Sequence, residues 1–500
     1  MTRMGRKKKA PKPNRARGKG VTARTEAEAR FMERALAAYR TSRQRLREAR
    51  DPIASREAYE GVWKSMDAMG RELIEEVEGE EDDEEPAAFV DELGTWKRVT
   101  RDFCTYHTLR GSVRVRRGRY RCAGVRNGPT RCPFEERRGV MARSTMPDLG
   151  RAILRVYADV PADEAAKLLG EMTRHTVASA RVKRVFLEES TRLKKLEDEL
   201  FEQLFSRDPV PAKARCVVVS VDALSIRLRG EGWKQPTVAT LTLLDAEGEP
   251  VSHATRGPTI RLAEMPEAGK GRIMDLVERE VRALQAQKPE LEIVVVIDGA
   301  LDLRNHLLER FPEARHLVDF YHVVDHLAEA LRLLFPDDEE RRSIERARWC
   351  HKLKHKQGTA WRLWRWLRDE MERTDDPLSA WAKKEVEKHA EYIYNQRPWT
   401  KYPQAVEAKV SIGSGRVEAA CKTVVTQRMK VSGASWSRPG AEGVLFVRSL
   451  MQSGRFERAI DYALSHPEIR REWPVDDKPR PEPTFTASGR PFARRVRGVA

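Results

Sequence analysis

Three acidic residues of the 500-residue chain sit where carboxylates can do chemistry. Asp222 ends the apolar run ARCVVVSVDA, and Asp298 ends LEIVVVIDGA. Glu418 falls near the start of a helix opened by Gly413, Ser414 and Gly415 in IGSGRVEAACKTVVTQRMK. A carboxylate at the carboxyl end of a buried strand projects into the crevice where open α/β sheets bind ligands. Burying that charge among valines is costly unless a cation compensates it. Two such acids on adjacent strands, with a third delivered by a neighbouring helix, suit two-metal phosphoryl transfer. One ion lowers the pKa of an attacking water or 3′-hydroxyl, and the other stabilises the leaving oxygen. Two Mg2+ ions, or Mn2+ in their place, fit a set of hard carboxylate donors.

Each acid also has a plainer reading. Asp222 and Asp298 can be strand-ending turn formers, and Glu418 a solvated acid on a capped surface helix. At 100° per residue, Val417, Cys421, Val424 and Val425 share one helix face, and Glu418 borders it. Ser414 has the character of an N-cap whose hydroxyl accepts from free backbone N–H groups. Lys422, Arg428 and Lys430 follow as candidate phosphate contacts, or as an ordinary solvated basic face. It is the combination of two strand-end acids, a later helical Glu and a basic chain that favours the metal site.

The elements around these acids have a recognisable order. Across 213–335, strands come first as a meander and then alternate with helices, which predicts an α/β fold with a mixed sheet flanked by helices. ARHLVDFYHVVDHL runs from a short strand into a helix through Asp319 and His322. Strands stop over 336–408, where the chain is helical, basic and tryptophan-rich. The segment 409–470 then returns with Glu418 and further helices. Upstream, 96–145 contains SVRVRRGRY, whose alternation predicts a strand with one buried and one basic face. Cys104, His107, Cys122 and Cys132 surround it and can be weighed as a zinc set. Only Cys104 and His107 have the short spacing that zinc ligand pairs favour. The segment 146–212 reads as helical and helix-turn-helix-like, with Ala162–Leu169, a turn at Gly170, and Thr176–Val185. There Arg174, His175, Ser179, Arg181 and Lys183 are placed to face a DNA groove. Residues 1–21 read as a disordered basic arm and 22–95 as helical. Nine acids in the eleven residues Glu75–Glu85 suggest a solvated linker. Residues 471–500 read as a disordered tail.

A net charge of +17 favours a polyanionic partner, most often nucleic acid. Six scattered cysteines do not make a disulfide framework and fit a reducing compartment. The basic N-terminus has no apolar h-region. No apolar run reaches the roughly 20 residues that span a bilayer, so a soluble, intracellular protein is expected.

The motifs SVDA, VIDGA, FPEARHLVDFYHVVDHL, IGSGRVEAACKTVVTQRMKVSGASWS and LFVRSLMQSGRFE occur in this order. Together they resemble the DDE transposases of bacterial insertion sequences of the ISKra type, over about 108–460. The resemblance implies an RNase H-like catalytic core with an all-helical insertion before the last acid, matching Pro336–Ala408. It implies Asp222, Asp298 and Glu418 as the metal-binding triad, with Asp319 and His322 as a supporting D-x-x-H motif. It also implies DNA as substrate, both terminal inverted repeats and target, with a homo-oligomer handling two ends in the cytoplasm at the nucleoid. The family's zinc ribbon is matched only in its arginine-rich strand, because its cysteine pairs are missing here. A transposase-derived DNA-binding protein without catalysis and a plain RNase H-like nuclease are the alternative readings.

Overall fold

The computed structural model describes residues 25–91, 94–124, 130–253, 257–266, 270–373 and 378–466. The expected basic arm (1–21) and tail (471–500) lie outside the described residues. The centre is a five-stranded mixed sheet with the spatial order Arg315–Val318, Glu292–Ile297, Cys216–Ala223, Thr237–Leu244, Thr259–Glu264. The central Cys216–Ala223 strand pairs parallel with Glu292–Ile297 on one side and antiparallel with Thr237–Leu244 on the other. The outer strands extend the sheet parallel and antiparallel respectively.

Both faces of the sheet are covered, which is why its strands read as continuous apolar runs. Strand alternation sorts the side chains between the two faces. Val217, Val219, Val221, Ile293 and Val295 pack on the helices Gly271–Gln287 and Leu301–Arg310. Cys216, Val218, Val294, Val296 and Leu317 face the other way, onto Ala405 and Val410. Two details depart from expectation. The short alternating strand Ile226–Leu228 does not join the sheet. It folds back on Gly232–Lys234 as a separate hairpin, through Gly230 and Gly232 at positive φ. The outer strand Thr259–Glu264 was not assigned from the sequence, because Arg261 interrupts its short apolar run.

From Phe320 to Glu407 the described residues contain helices and no strand. The helices Phe320–Leu334, Glu339–His355, Thr359–Arg373 and Ala380–Gln396 share one core, built on Phe320, Leu327, Trp349, Leu363, Val386 and Ile393. That core continues into Val318, the last residue of the edge strand.

The N-terminal region is a helical hairpin docked on a β-ribbon. Glu26–Glu48 begins with a capping box between Thr25 and Glu28 and packs antiparallel to Pro52–Glu84. The acidic run is therefore not a linker: Glu75–Glu84 forms the last turns of the second helix. Contacts with later parts of the chain accompany this order. Glu75 accepts from the Arg114 N–H at 2.6 Å, and Glu78 pairs with Arg138 at 2.8 Å. The ribbon itself is Gly94–Thr108 against Gly111–Cys122, with Val113 and Val115 buried and Arg114 exposed. The first helix-turn-helix element also runs longer than expected. Ala162–Thr173 passes through Gly170, and Arg174 makes the turn at φ 59° before Ser179–Lys195.

Among the described residues no helix is long and apolar enough to cross a membrane. The last helices, Arg438–Gln452 and Phe456–Ser465, brace the sheet from the side. Arg455 there forms a two-pronged ion pair with Glu280 of the Gly271–Gln287 helix, at 2.5 and 2.9 Å, with both side chains 4% exposed. Removing one partner leaves a buried charge uncompensated. Glu280→Ala is expected to cost about 3–5 kcal/mol, measured by denaturant unfolding of the full chain. A loss within that of an ordinary surface substitution would show that the pair does not hold the brace.

Candidate active site

The register of the sheet determines where the strand-end acids fall. Val219 pairs with Val295, and the same offset carried three residues further sets Asp222 beside Asp298. Ile297 pairs with Val318, and the Asp319 N–H donates to the Ile297 carbonyl at 2.7 Å. Asp222, Asp298 and Asp319 thus form a row at the carboxyl ends of three adjacent parallel strands. By alternation they share the face of Val218, Val296 and Leu317. That is the face on which the chain returns after the helical segment, at Ala405 and Val410.

Each acid is held differently. Asp222 is half-buried; its Oδ1 accepts from the Ala223 N–H at 2.6 Å, and the Cys421 thiol donates to its Oδ2 at 3.4 Å. Burial raises the Asp222 carboxyl above its ordinary value, and the negative charge of Asp298 adds to that rise. Asp298 Oδ1 accepts from the Ala300 N–H at 3.0 Å. Its backbone carbonyl accepts from Tyr392 Oη at 2.8 Å, so a helix of the 380–396 segment touches this strand end directly. Gly299 follows at φ +99°, where a Cβ would collide with that hydroxyl, so glycine is required at this position. Burial and the nearby Asp298 raise the Tyr392 phenol and keep it a donor.

Asp319 is 2% exposed and acts as a clamp. Its Oδ1 accepts from the Tyr321 N–H at 2.7 Å, capping the Phe320–Leu334 helix. Its Oδ2 accepts from the Ser414 N–H at 2.9 Å and from the Ser414 hydroxyl. The Phe320 N–H donates to the Ile412 carbonyl at 2.9 Å. Ser414 does occupy the N-cap position of Gly415–Ala420, but its hydroxyl makes no cap hydrogen bond. It is oriented towards Asp319 instead, and it lies 3.2 Å from Glu418 Oε1. Glu418 is exposed. The helix then widens to a π-turn over Cys421–Thr426. Arg448 donates to the Thr423 and Val424 carbonyls there, at 3.2 and 3.0 Å, and so satisfies groups released from the ordinary helical ladder.

Asp222 and Asp298 therefore share a face, while Glu418 rests on Ser414, and the triad does not form a finished metal cage. Among the described residues no group of three or more His, Cys, Asp or Glu side chains is arranged to hold a metal. The donor chemistry still fits a hard dication. Asp222 and Asp298 are carboxylates on adjacent strands, and Asp222 is burdened by burial and by a like-charged neighbour. His322 is exposed, and its ring lies 5.5 Å from that of His326 and 6.1 Å from that of Tyr392.

The zinc candidates are dispersed. Cys104 pairs across the ribbon with Val115, and Cys122 with Trp96. Seven residues of strand separate those rungs, roughly 23 Å at ordinary strand rise. His107 Nδ1 lies 3.1 Å from Ser112 Oγ, and Cys132 is buried beside Phe134 with its thiol pushed up to about 12 by burial. The basic candidates divide into two groups. Lys422, Lys430 and Lys183 are exposed. Arg428 is 4% exposed, stacks on Trp436 and Tyr157, and donates to the Tyr157 carbonyl at 3.3 Å, which leaves it no face for a phosphate. Arg174 pairs with Asp67 at 3.1 Å, and His175 lies beside Arg71, so both face the N-terminal hairpin rather than a groove. Arg181 donates to the Arg143 carbonyl at 2.6 Å, and Ser179 opens the second helix.

Sequence reasoning missed Cys421, Tyr392 and the clamp on Ser414. Cys421 carried a usable signal, since it lies one turn after Glu418 on the same apolar face. Tyr392 carried none.

Asp222 has a folded-state pKa above its unfolded one, so ionising it opposes folding. Its contribution is fully favourable below the ordinary carboxylate pKa of about 3.9, and is lost as pH rises through the shifted value. In chelator, Asp222→Asn is therefore expected to melt at a higher temperature than the parent at neutral pH, with the gap closing on acidification below about pH 4. Thermal melts across pH test this, and an Asn variant that is less stable at neutral pH would contradict it. Comparison with protein-family models finds no match for the chain, and comparison with curated proteins finds none either.

Proposed function

We propose that the chain is a metal-dependent DNA strand-transfer enzyme: a DDE transposase of the insertion-sequence type that its motifs resemble, built on an RNase H-like core. One observation carries this reading. Asp222 and Asp298 follow each other at the ends of adjacent parallel strands, and Cys421, three residues after Glu418, donates to Asp222. The sheet order supports the RNase H-like assignment, since the central strand has antiparallel neighbours on one side and parallel neighbours on the other. The helical segment lies between the second acid and the third, as in transposases with an insertion.

In this reading Asp222, Asp298 and Glu418 would hold Mg2+. The bound ions supply charge neutralisation at the phosphate and a lowered pKa for water or a 3′-hydroxyl. The chain's own residues do the positioning. Asp319 fixes Ser414 and with it the start of the Glu418 helix. Tyr392 fixes the Asp298–Gly299 turn. Asp222 would have to be ionised to hold a metal, so affinity would rise with pH up to its shifted value and level off above it. Lys422 and Lys430, exposed on the Glu418 helix segment, contact DNA phosphates beside the site. Arg181 and Lys183 approach DNA from the helix-turn-helix, with Ser179 at its start. Handling two element ends is expected to engage at least two subunits, as a homo-oligomer acting on nucleoid DNA in the cytoplasm.

The test uses DNA carrying the sequences that flank the coding region, with Mg2+ or Mn2+. The full chain is expected to cleave the ends and join them to target DNA. Asp222→Ala, Asp298→Ala and Glu418→Ala are each expected to lower both steps by at least ~1,000-fold while the fold is retained, the scale of a lost electrostatic catalytic group. Strand transfer unchanged in Glu418→Ala would remove that residue from the triad. Hydrolysis without joining would make the protein a nuclease, and binding without either would make it a regulatory derivative.

A further inference from the structure

The N-terminal hairpin shows an apolar face that nothing in the chain's described residues covers. Along the second helix, Tyr59, Trp63, Met66, Leu73 and Val77 are all 40–60% exposed. With Gly70 they recur in steps of four and three, the spacing of a coiled-coil seam. The first helix repeats the pattern at Met32, Leu36, Tyr39 and Leu46, with Arg43 in the remaining slot.

Geometry brings the two seams together. Arg34 pairs with Glu72 at 3.0 Å, and Gly61 faces Arg45, so the helices run antiparallel. The positions one residue earlier are the more buried ones: Phe31, Ala35 and Ala38 on one helix, Ala58, Val62 and Ser65 on the other. Stepping one residue on from an inward position rotates each seam by 100°. Because the helices are antiparallel, both seams turn to the same side. The third face of the second helix is already used, with Asp67 on Arg174, Glu75 on Arg114 and Glu78 on Arg138. The seams therefore form one continuous two-helix face, directed away from the rest of the molecule.

We infer that this face is the interface for a second copy of the chain, with two hairpins closing into an antiparallel four-helix bundle. Nine large side chains about half exposed present on the order of the ~800 Å² that each partner contributes to a standard interface, and more than an isolated monomer patch of roughly 300–600 Å². Charge selects the pairing. The first helix carries six arginines and four glutamates, and the second twelve acids and three bases. Placing the first helix of one copy against the second helix of the other joins opposite charges, whereas stacking the two second helices would repel. A two-fold axis satisfies both contacts at once.

The inference does not rest on the proposed chemistry, and its test contains neither DNA nor metal. Sedimentation velocity on the full chain at micromolar concentrations is expected to give a dimer. Trp63→Glu combined with Met66→Glu is expected to weaken it at least ~100-fold, and Leu36→Glu combined with Tyr39→Glu to do the same from the other helix. Trp233→Glu, at a still more exposed tryptophan elsewhere, is expected to leave it unchanged. Circular dichroism confirms that helix content is retained, and the second pair stands in if the first fails to fold. A monomeric parent chain overturns the inference, whether its own terminal segments or a different protein cover the face. So does a dimer that both seam variants leave intact.

Discussion

Asp319 is the contact on which the candidate site depends. The chain leaves the sheet at Val318, builds about ninety residues of helix, and must return so that Glu418 lies over the same strand ends it left. One buried carboxylate secures both the departure and the return. It caps the outgoing helix through the Tyr321 N–H and holds the incoming chain through Ser414. The Phe320–Ile412 backbone bond runs beside it. A carboxylate accepting several N–H and O–H bonds is among the stronger anchors available in a protein interior. The glycine at 413 follows from the same contact, since a Cβ there would press on Tyr321.

A second set of contacts ties the Glu418 helix to the helical region before the sheet. Arg428 reaches the Tyr157 carbonyl, and Arg448 the Ala158 carbonyl at 2.9 Å, so two buried guanidinium groups satisfy the end of Pro147–Asp159. Cations are favoured at a helix C-terminus because its carbonyls lack intrahelical partners. Arg448 also supports the π-turn one residue after the candidate acid's helical segment. The helix-turn-helix region and the sheet are thus coupled through the helix that bears Glu418.

Much of this was legible in the sequence, for identifiable reasons. The apolar runs ending at Asp222 and Asp298 could only be strands covered on both faces, and the helical character of 336–408 followed from the disappearance of such runs. The side-chain roles were less accessible. Arg428 read as a phosphate contact because it follows Glu418 in a basic segment, yet packing against Trp436 and Tyr157 buries it. Ser414 read as an ordinary cap, yet an acid ninety-five positions earlier in the chain captures its hydroxyl. The acidic stretch at Glu75–Glu85 read as a linker because its charges repel locally, yet Glu75 takes the backbone N–H of Arg114 and Glu78 pairs with Arg138. In each case a long-range partner overrode the local pattern, and a single sequence does not show such partners.

The central claim is that Asp222, Asp298 and Glu418 form one divalent-metal site. The most direct measurement is anomalous diffraction from crystals of the full chain grown with Mn2+. The account predicts a manganese peak between the Asp222 and Asp298 carboxylates, with Glu418 turned from Ser414 towards it. Manganese absent from these strand ends, or bound there with Glu418 still on Ser414, would contradict it.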